Sequence, residues 1–192
     1  MEDNQRIAAE AVARMGRLDS VISIGAQPAT VIRPFANMTY EEMRDGFNNL
    51  VFPRILPVHA AIPHLRAFGG GSVVMIGTDA ARHATPGESI VGATGAVVIL
   101  MTKAVARELA RDRIRVNTVA LTITSGTRGW DRVFAHEMGA KVFSKALERF
   151  PYGRPPNADE VANAVVFLAS DAAAQISGQT VSVNGALSFG DW

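Results

Sequence analysis

The 192-residue chain contains no cysteine, which excludes disulfides, thiolate metal ligands and a thiol nucleophile together. Lysine is almost as scarce: Lys103, Lys141 and Lys145 are the only three, and the other basic residues are arginines. Charged residues make up 19% and aromatics 7%, and Tyr40 and Tyr152 are the only phenols. The 19 basic and 18 acidic residues leave a net charge of +1, without the basic excess of a protein that binds nucleic acid or an anionic membrane. No uninterrupted apolar run is longer than that of residues 96–101, far below the about 20 residues that cross a bilayer. The first residues have neither a basic nor an apolar export region, so a cytoplasmic location is expected. What is abundant is apolar material, 48% of the chain, enough for one substantial core in a single domain over residues 1–192.

Periodicity divides that material into helices and strands. Residues 4–15 place Ile7, Ala8, Ala11, Val12 and Met15 on one helical face, and Gly16 ends the helix. Residues 20–24, 72–76, 114–120 and 180–183 are short and rich in β-branched side chains, as strands buried on both faces are. Between them lie helical stretches. Thr39 with Glu42 forms a capping box ahead of one that reaches towards Ala67, and its prolines predict an interruption across residues 49–57. A long apolar helix covers residues 91–110, and Asn157 caps another that ends at Ser170. Strands alternating with helices predict an α/β fold: three layers, with a parallel sheet between helices.

Several motifs, in order, resemble the short-chain dehydrogenases/reductases. Gly16-Arg17-Leu18-Asp19 is similar to that family's lead into its fourth strand, and Asn49-Leu50 to the Asn-Leu of its fourth long helix. Thr102-Lys103-Ala104, followed by Ile114-Arg115-Val116-Asn117, is the most specific stretch. Gly153-Arg154, Glu160-Val161-Ala162 and Ile176-Ser177-Gly178-Gln179 continue the series to the C-terminal part. The resemblance implies a Rossmann-like sheet lacking the family's first βαβαβ part, and with it the glycine-rich turn that holds a dinucleotide pyrophosphate. The family's Asn-Asn-Ala-Gly is replaced by Ser23-Ile24-Gly25-Ala26.

The same alignment sets Val91 at the family's proton-transferring Tyr, Gly95 at its Lys and Thr78 at its substrate-orienting Ser. It therefore implies loss of the nicotinamide site and of hydride transfer by this chain alone. The expected activity is cofactor-free binding or non-redox conversion of a small molecule, of isomerase, lyase or cyclase type. Two alternatives stand beside it: a non-catalytic scaffold or subunit, and an oxidoreductase whose NAD or NADP half comes from another chain.

Open parallel sheets bind ligands beyond the carboxyl ends of their strands. The candidate catalytic residues there are Thr78, Asp79 and His83, the last two as a general-base pair, against the plainer reading of a turn cap and a solvated loop. Ser23, Asn49, Arg82, Thr122, Ser125 and Arg128 are the candidate substrate contacts. No metal set is spaced for binding; His59 and His64 sit five apart on a proline-interrupted helix. Partners are expected to be a small molecule and further copies of the chain in a dimer or tetramer, using the helix and strand faces or the edge at residues 20–24.

Overall fold

In the computed structural model, which describes residues 1–26 and 32–189, the four β-branched stretches form one parallel sheet. Its strands are β1 (Ser20–Ser23), β2 (Gly71–Thr78), β3 (Ile114–Leu121) and β4 (Thr180–Val183), side by side in chain order. The registers Ser20 to Ser72, Ser72 to Arg115 and Thr118 to Thr180 bring all four carboxyl ends to one rim. The helices are α1 (Glu2–Met15), α2 (Tyr40–Leu50), α3 (Phe52–Ala67), α4 (Ser89–Leu109), α5 (Arg128–Phe134), α6 (Glu137–Leu147) and α7 (Ala158–Ala169).

Alternate side chains of the strands feed two cores. Val73, Met75, Ile114 and Val116 meet Leu18 ahead of β1, Val58 and Leu65 of α3, and Val98 and Ala106 of α4. Val74, Ile76 and Val119 on the other face meet Val161, Val165 and Leu168 of α7. This is the expected three-layer arrangement, and the period-2 geometry of a strand is its cause. A third cluster, Ile123, Phe143 and Phe150, gathers the segment after β3.

Local signals account for the element ends. Gly16 ends α1 at φ 80°, a left-handed conformation that suits glycine. The capping boxes of Thr39 with Glu42 and Asn157 with Glu160 are both formed. The interruption predicted over residues 49–57 is confined to Val51, where α2 hands over to α3. Pro53 lies in the first turn of α3, where a missing N–H has no partner to lose, whereas Pro57 and Pro63 are carried inside the helix.

Helix α4 and the 3-10 turn after it, Ser89–Asp112, form a stretch long and apolar enough by composition to cross a membrane, with a mean hydropathy of 1.8. Val98, Ile99, Thr102 and Ala106 are buried, and the Thr102 hydroxyl lies 2.6 Å from that of Thr118 in β3, so the helix is spent on the core. The predicted loop over residues 25–37 includes a 3-10 turn, Phe35–Asn37, and lies partly outside the described residues.

Candidate active site

The rim is built from the last residues of the strands and the loops that leave them. Ser23 closes β1 with its side chain buried, and its hydroxyl donates to the Arg54 carbonyl at 2.7 Å. Its polarity is consumed in holding β1 to α3. A side chain on Gly25 would collide with the Pro53 carbonyl, so only glycine lets the chain pass there. Arg54 itself donates from Nη1 to the Leu50 carbonyl at 2.9 Å, while its Nε is buried without a partner. Burial pushes this guanidinium below its ordinary value. Asn49 lies near the C-terminal end of α2, half-buried.

Thr78 ends β2. Its hydroxyl accepts from the Ala80 amide at 3.2 Å, starting a 3-10 turn, and its methyl faces α4. A Cβ on Gly95 would stand 2.5 Å from that methyl, so the absence of a side chain at Gly95 lets the loop seat on the helix. Val91 lies one turn earlier, half-buried.

The structure does not assemble the expected Asp79–His83 pair. Asp79 is buried, and its two oxygens accept from Ser182 Oγ at 2.8 Å, Asn184 Nδ2 at 2.5 Å and Ser188 Oγ at 3.2 Å. Arg82 Nη2 adds a longer contact at 3.5 Å and also donates to Ser182 Oγ. The carboxylate thus fastens the segment after β4 to the end of β2. His83 meets Asp79 only through the backbone, its amide donating to the Asp79 carbonyl at 2.8 Å, and the residue is exposed. Nor is Arg82 the solvated loop residue of the plainer reading: its side chain is 9% exposed, with Nε buried and unpartnered.

The loop after β3 is likewise structural in most of its polar groups. The Thr122 carbonyl accepts from Thr124 Oγ1 at 3.0 Å, and Ser125 joins the Pro156 carbonyl through its amide at 2.9 Å. Thr127 caps α5, and Arg128 opens that helix exposed to solvent.

Two cavities, each of about 630 Å³, flank Arg82. One lies against β4 and contains Tyr152, Arg154, Asn184 and Ser188. The other is walled by the loop leaving Thr78 and the first turns of α4, and contains His83, Thr85, Glu88, Ser89 and Gly92. Glu88, unremarked in the sequence, is 9% exposed and pairs with no group among the described residues. Burial pushes its carboxyl up from the ordinary 4.5 to about 7. No local signal in the sequence marks it, because its burial depends on the loop from Thr78 packing on α4. Among the described residues no group of His, Asp and Glu is placed to hold a metal.

Comparison with known proteins decides the family. The model described as enoyl-(acyl carrier protein) reductase matches residues 1–188. A short-chain type dehydrogenase/reductase from Mycobacterium ulcerans superposes with a TM-score of 0.86 at 26% identity, over 97% of this chain and 66% of that one. The chain belongs to the short-chain dehydrogenase/reductase family. Among similar curated proteins, the 2,3-dihydroxy-2,3-dihydro-p-cumate dehydrogenase of Pseudomonas putida is 30% identical over 91% of this chain and 66% of its own length. The 3-oxoacyl-[acyl-carrier-protein] reductase of Thermotoga maritima is 28% identical over 95% and 71%. The chain spans about two thirds of the length of such relatives.

These relatives correct two expectations. The predicted non-redox or non-catalytic role is overturned because the matching proteins are dehydrogenases and reductases, which also overturns the expected absence of a cofactor. The physical reason lies in the inference itself: substitutions at Val91 and Gly95 remove two particular side chains, and say nothing of other groups at the rim that bind an anion or carry a proton.

Proposed function

We propose that this chain forms the substrate side of an NAD(P)-dependent oxidoreductase acting on a small secondary alcohol or its ketone. The observation that carries the reading is the rim itself: Arg54, half-buried with its Nε unpartnered, stands beside Ser23 at the end of β1, and Thr78 ends β2 facing α4. A half-buried guanidinium with a free Nε–H, beside a glycine that admits no side chain, suits an anionic dinucleotide. Arg54 would hold an anionic part of that cofactor, and the Thr78 hydroxyl would orient the substrate oxygen. The bound nicotinamide supplies or accepts a hydride. Ser23, Asp79 and Ser125 act by fixing the strand ends, since their hydrogen bonds are committed within the protein. A cyclic vicinal diol is the favoured substrate class, because the names of two similar dehydrogenases specify such diols.

Titration of the protein with NAD and NADP, followed by Trp fluorescence, tests this reading. Saturable binding is expected, weakened at least tenfold in Arg54→Met, whose side chain keeps the apolar packing. Binding unaffected by that change would remove Arg54 from the cofactor site; no binding by the native protein would refute the reading.

The reading includes a cytoplasmic, self-associating protein that binds neither nucleic acid nor membrane. Self-association is supported by the edge of the sheet, where Ile22 is 44% and Ile24 59% exposed and β1 has no second strand beside it among the described residues. Light scattering is expected to give a dimer or tetramer, reduced in mass by Ile22→Lys. A monodisperse monomer in both proteins would refute it.

A further inference from the structure

We propose that the cavity against β4 is a second ligand site, which takes a small ring compound bearing one carboxylate and holds that carboxylate on Arg82. It is separate from the cofactor edge: neither Arg54 nor Thr78 lines it.

An arginine carries five N–H donors in a planar fork and keeps its proton however deeply it is buried. Nη2 of Arg82 donates to Ser182 Oγ and lies 3.5 Å from Asp79 Oδ1. Nε is enclosed without an acceptor, and among the described residues none accepts from Nη1. The side chain is nine-tenths buried, so bulk water does little to replace the missing bonds. Asp79 does not fill the gap, because its oxygens already accept from Ser182, Asn184 and Ser188. Donors left over on a buried cation call for an acceptor from outside the fold.

Arg82 borders both cavities, and charge selects between them. The cavity at the start of α4 also contains Glu88, whose carboxylate form repels an anion. Against β4 the acid among the described lining residues is Glu160, which Arg154 and the Asn157 amide already hold. With Asp79 beside Arg82 and Glu160 beside Arg154, the surroundings are close to neutral. That balance suits the single charge of a carboxylate better than the double charge of a phosphate ester.

The rest of the wall suits a ring. Tyr152 and Phe189 are 75% and 82% exposed, two rings left largely uncovered, and Pro156 and Val183 extend the apolar lining. The volume of about 630 Å³ lies within the ~300–1,000 Å³ usual for small-molecule sites. Gly185 and Ala186 form another part of the wall, both left-handed at φ 59° and 60°. Alanine is strained in that conformation, and strain of this kind is retained at ligand clamps. The Ala186 amide donates to Asn184 Oδ1 at 3.1 Å, and Asn184 is tied in turn to Asp79. One hydrogen-bonded cluster therefore sets both the turn and the surroundings of the guanidinium before a ligand arrives.

Benzoate is the probe, with benzamide as its uncharged counterpart of the same shape. Isothermal titration calorimetry of the native protein is expected to show one saturable benzoate site, and benzamide binding weaker by about tenfold or more. Arg82→Gln, which keeps an amide donor, should weaken benzoate by about tenfold or more. Tyr152→Ala changes a mostly exposed residue, so it should fold as the native protein does and weaken benzoate by about threefold or more. Arg54→Met, at the cofactor edge, should bind benzoate as the native protein does. No saturable binding below about 10 mM, or equal affinity for benzamide, overturns the proposal. Unchanged affinity in Tyr152→Ala, or in Arg82→Gln when that variant is folded, overturns it as well. Each of these results leaves the oxidoreductase reading standing. Loss of benzoate binding in Arg54→Met would move the anion to the cofactor edge and also overturn the second site.

Discussion

Raising the pH from 4.5 to 8 is expected to withdraw roughly 3 kcal/mol of stabilisation through Glu88, and Glu88→Gln to remove that loss. The folded protein binds this proton more tightly than the unfolded chain does, about 7 against 4.5. The contribution is therefore complete below 4.5 and lost as pH rises through 7. Glu160 acts in the opposite sense. Arg154 and the Asn157 amide hold its carboxyl down at about 2, so its smaller, solvent-screened contribution is present above 4.5 and disappears as pH falls towards 2. Urea unfolding of the native protein and Glu88→Gln at intervals between pH 5 and 8 separates the two. The curves should converge at pH 5, with Glu88→Gln the more stable at pH 8. Parallel curves would show that Glu88 ionises freely in the fold.

Asp79→Ala should cost about 3–5 kcal/mol, because it strands the Arg82 guanidinium in a site where the side chain is 9% exposed. It also unties Ser182, Asn184 and Ser188 from the end of β2. The segment after β4 should then lose protection from amide exchange while β2 and β3 keep theirs. Adding Arg82→Met to Asp79→Ala should recover part of the loss, since the uncompensated charge goes with it. Urea unfolding of the two single variants and the double variant measures this coupling. Additive losses would mean that the carboxylate and guanidinium do not depend on each other.

How far the sequence reveals the molecule depends on the range of the interactions. The four strands are legible because each is a short β-branched run; β2 and β3 are largely buried, whereas β1 and β4 leave Ile22 and Val181 exposed. The capping boxes of Thr39 with Glu42 and Asn157 with Glu160 are legible because both partners lie three residues apart. The break at Val51 is less so: prolines mark a weakened region, but accommodation of Pro57 and Pro63 depends on what α3 packs against.

The site is legible in proportion to its locality. Thr78 at the rim follows from strand periodicity and chain order. The commitment of Asp79 to Asn184 joins residues 105 apart, and no local pattern announces it. Without that partner in view, Asp79 and His83 have the spacing of a base and its orienting acid. Glu88 shows the converse. Its burial arises only when the loop from Thr78 folds against α4, so a residue that reads as a loop acid ahead of the helix at 91–110 becomes a mostly buried carboxyl. The mistaken expectation of a cofactor-free protein rests on particular motifs, the glycine-rich turn and the positions of Val91 and Gly95, whereas the relatives that match nearly the whole length of the chain are dehydrogenases and reductases.

Transfer of deuterium is the most direct measurement of the proposed chemistry. The protein would be incubated with cyclohexane-1,2-dione and NADH or NADPH carrying deuterium at either face of nicotinamide C4, and the product analysed by mass spectrometry. A hydroxyketone bearing one deuterium on carbon, from one face only and from at least one of the two dinucleotides, is the predicted result. Unlabelled product, or no reduction together with no dinucleotide binding, would contradict it.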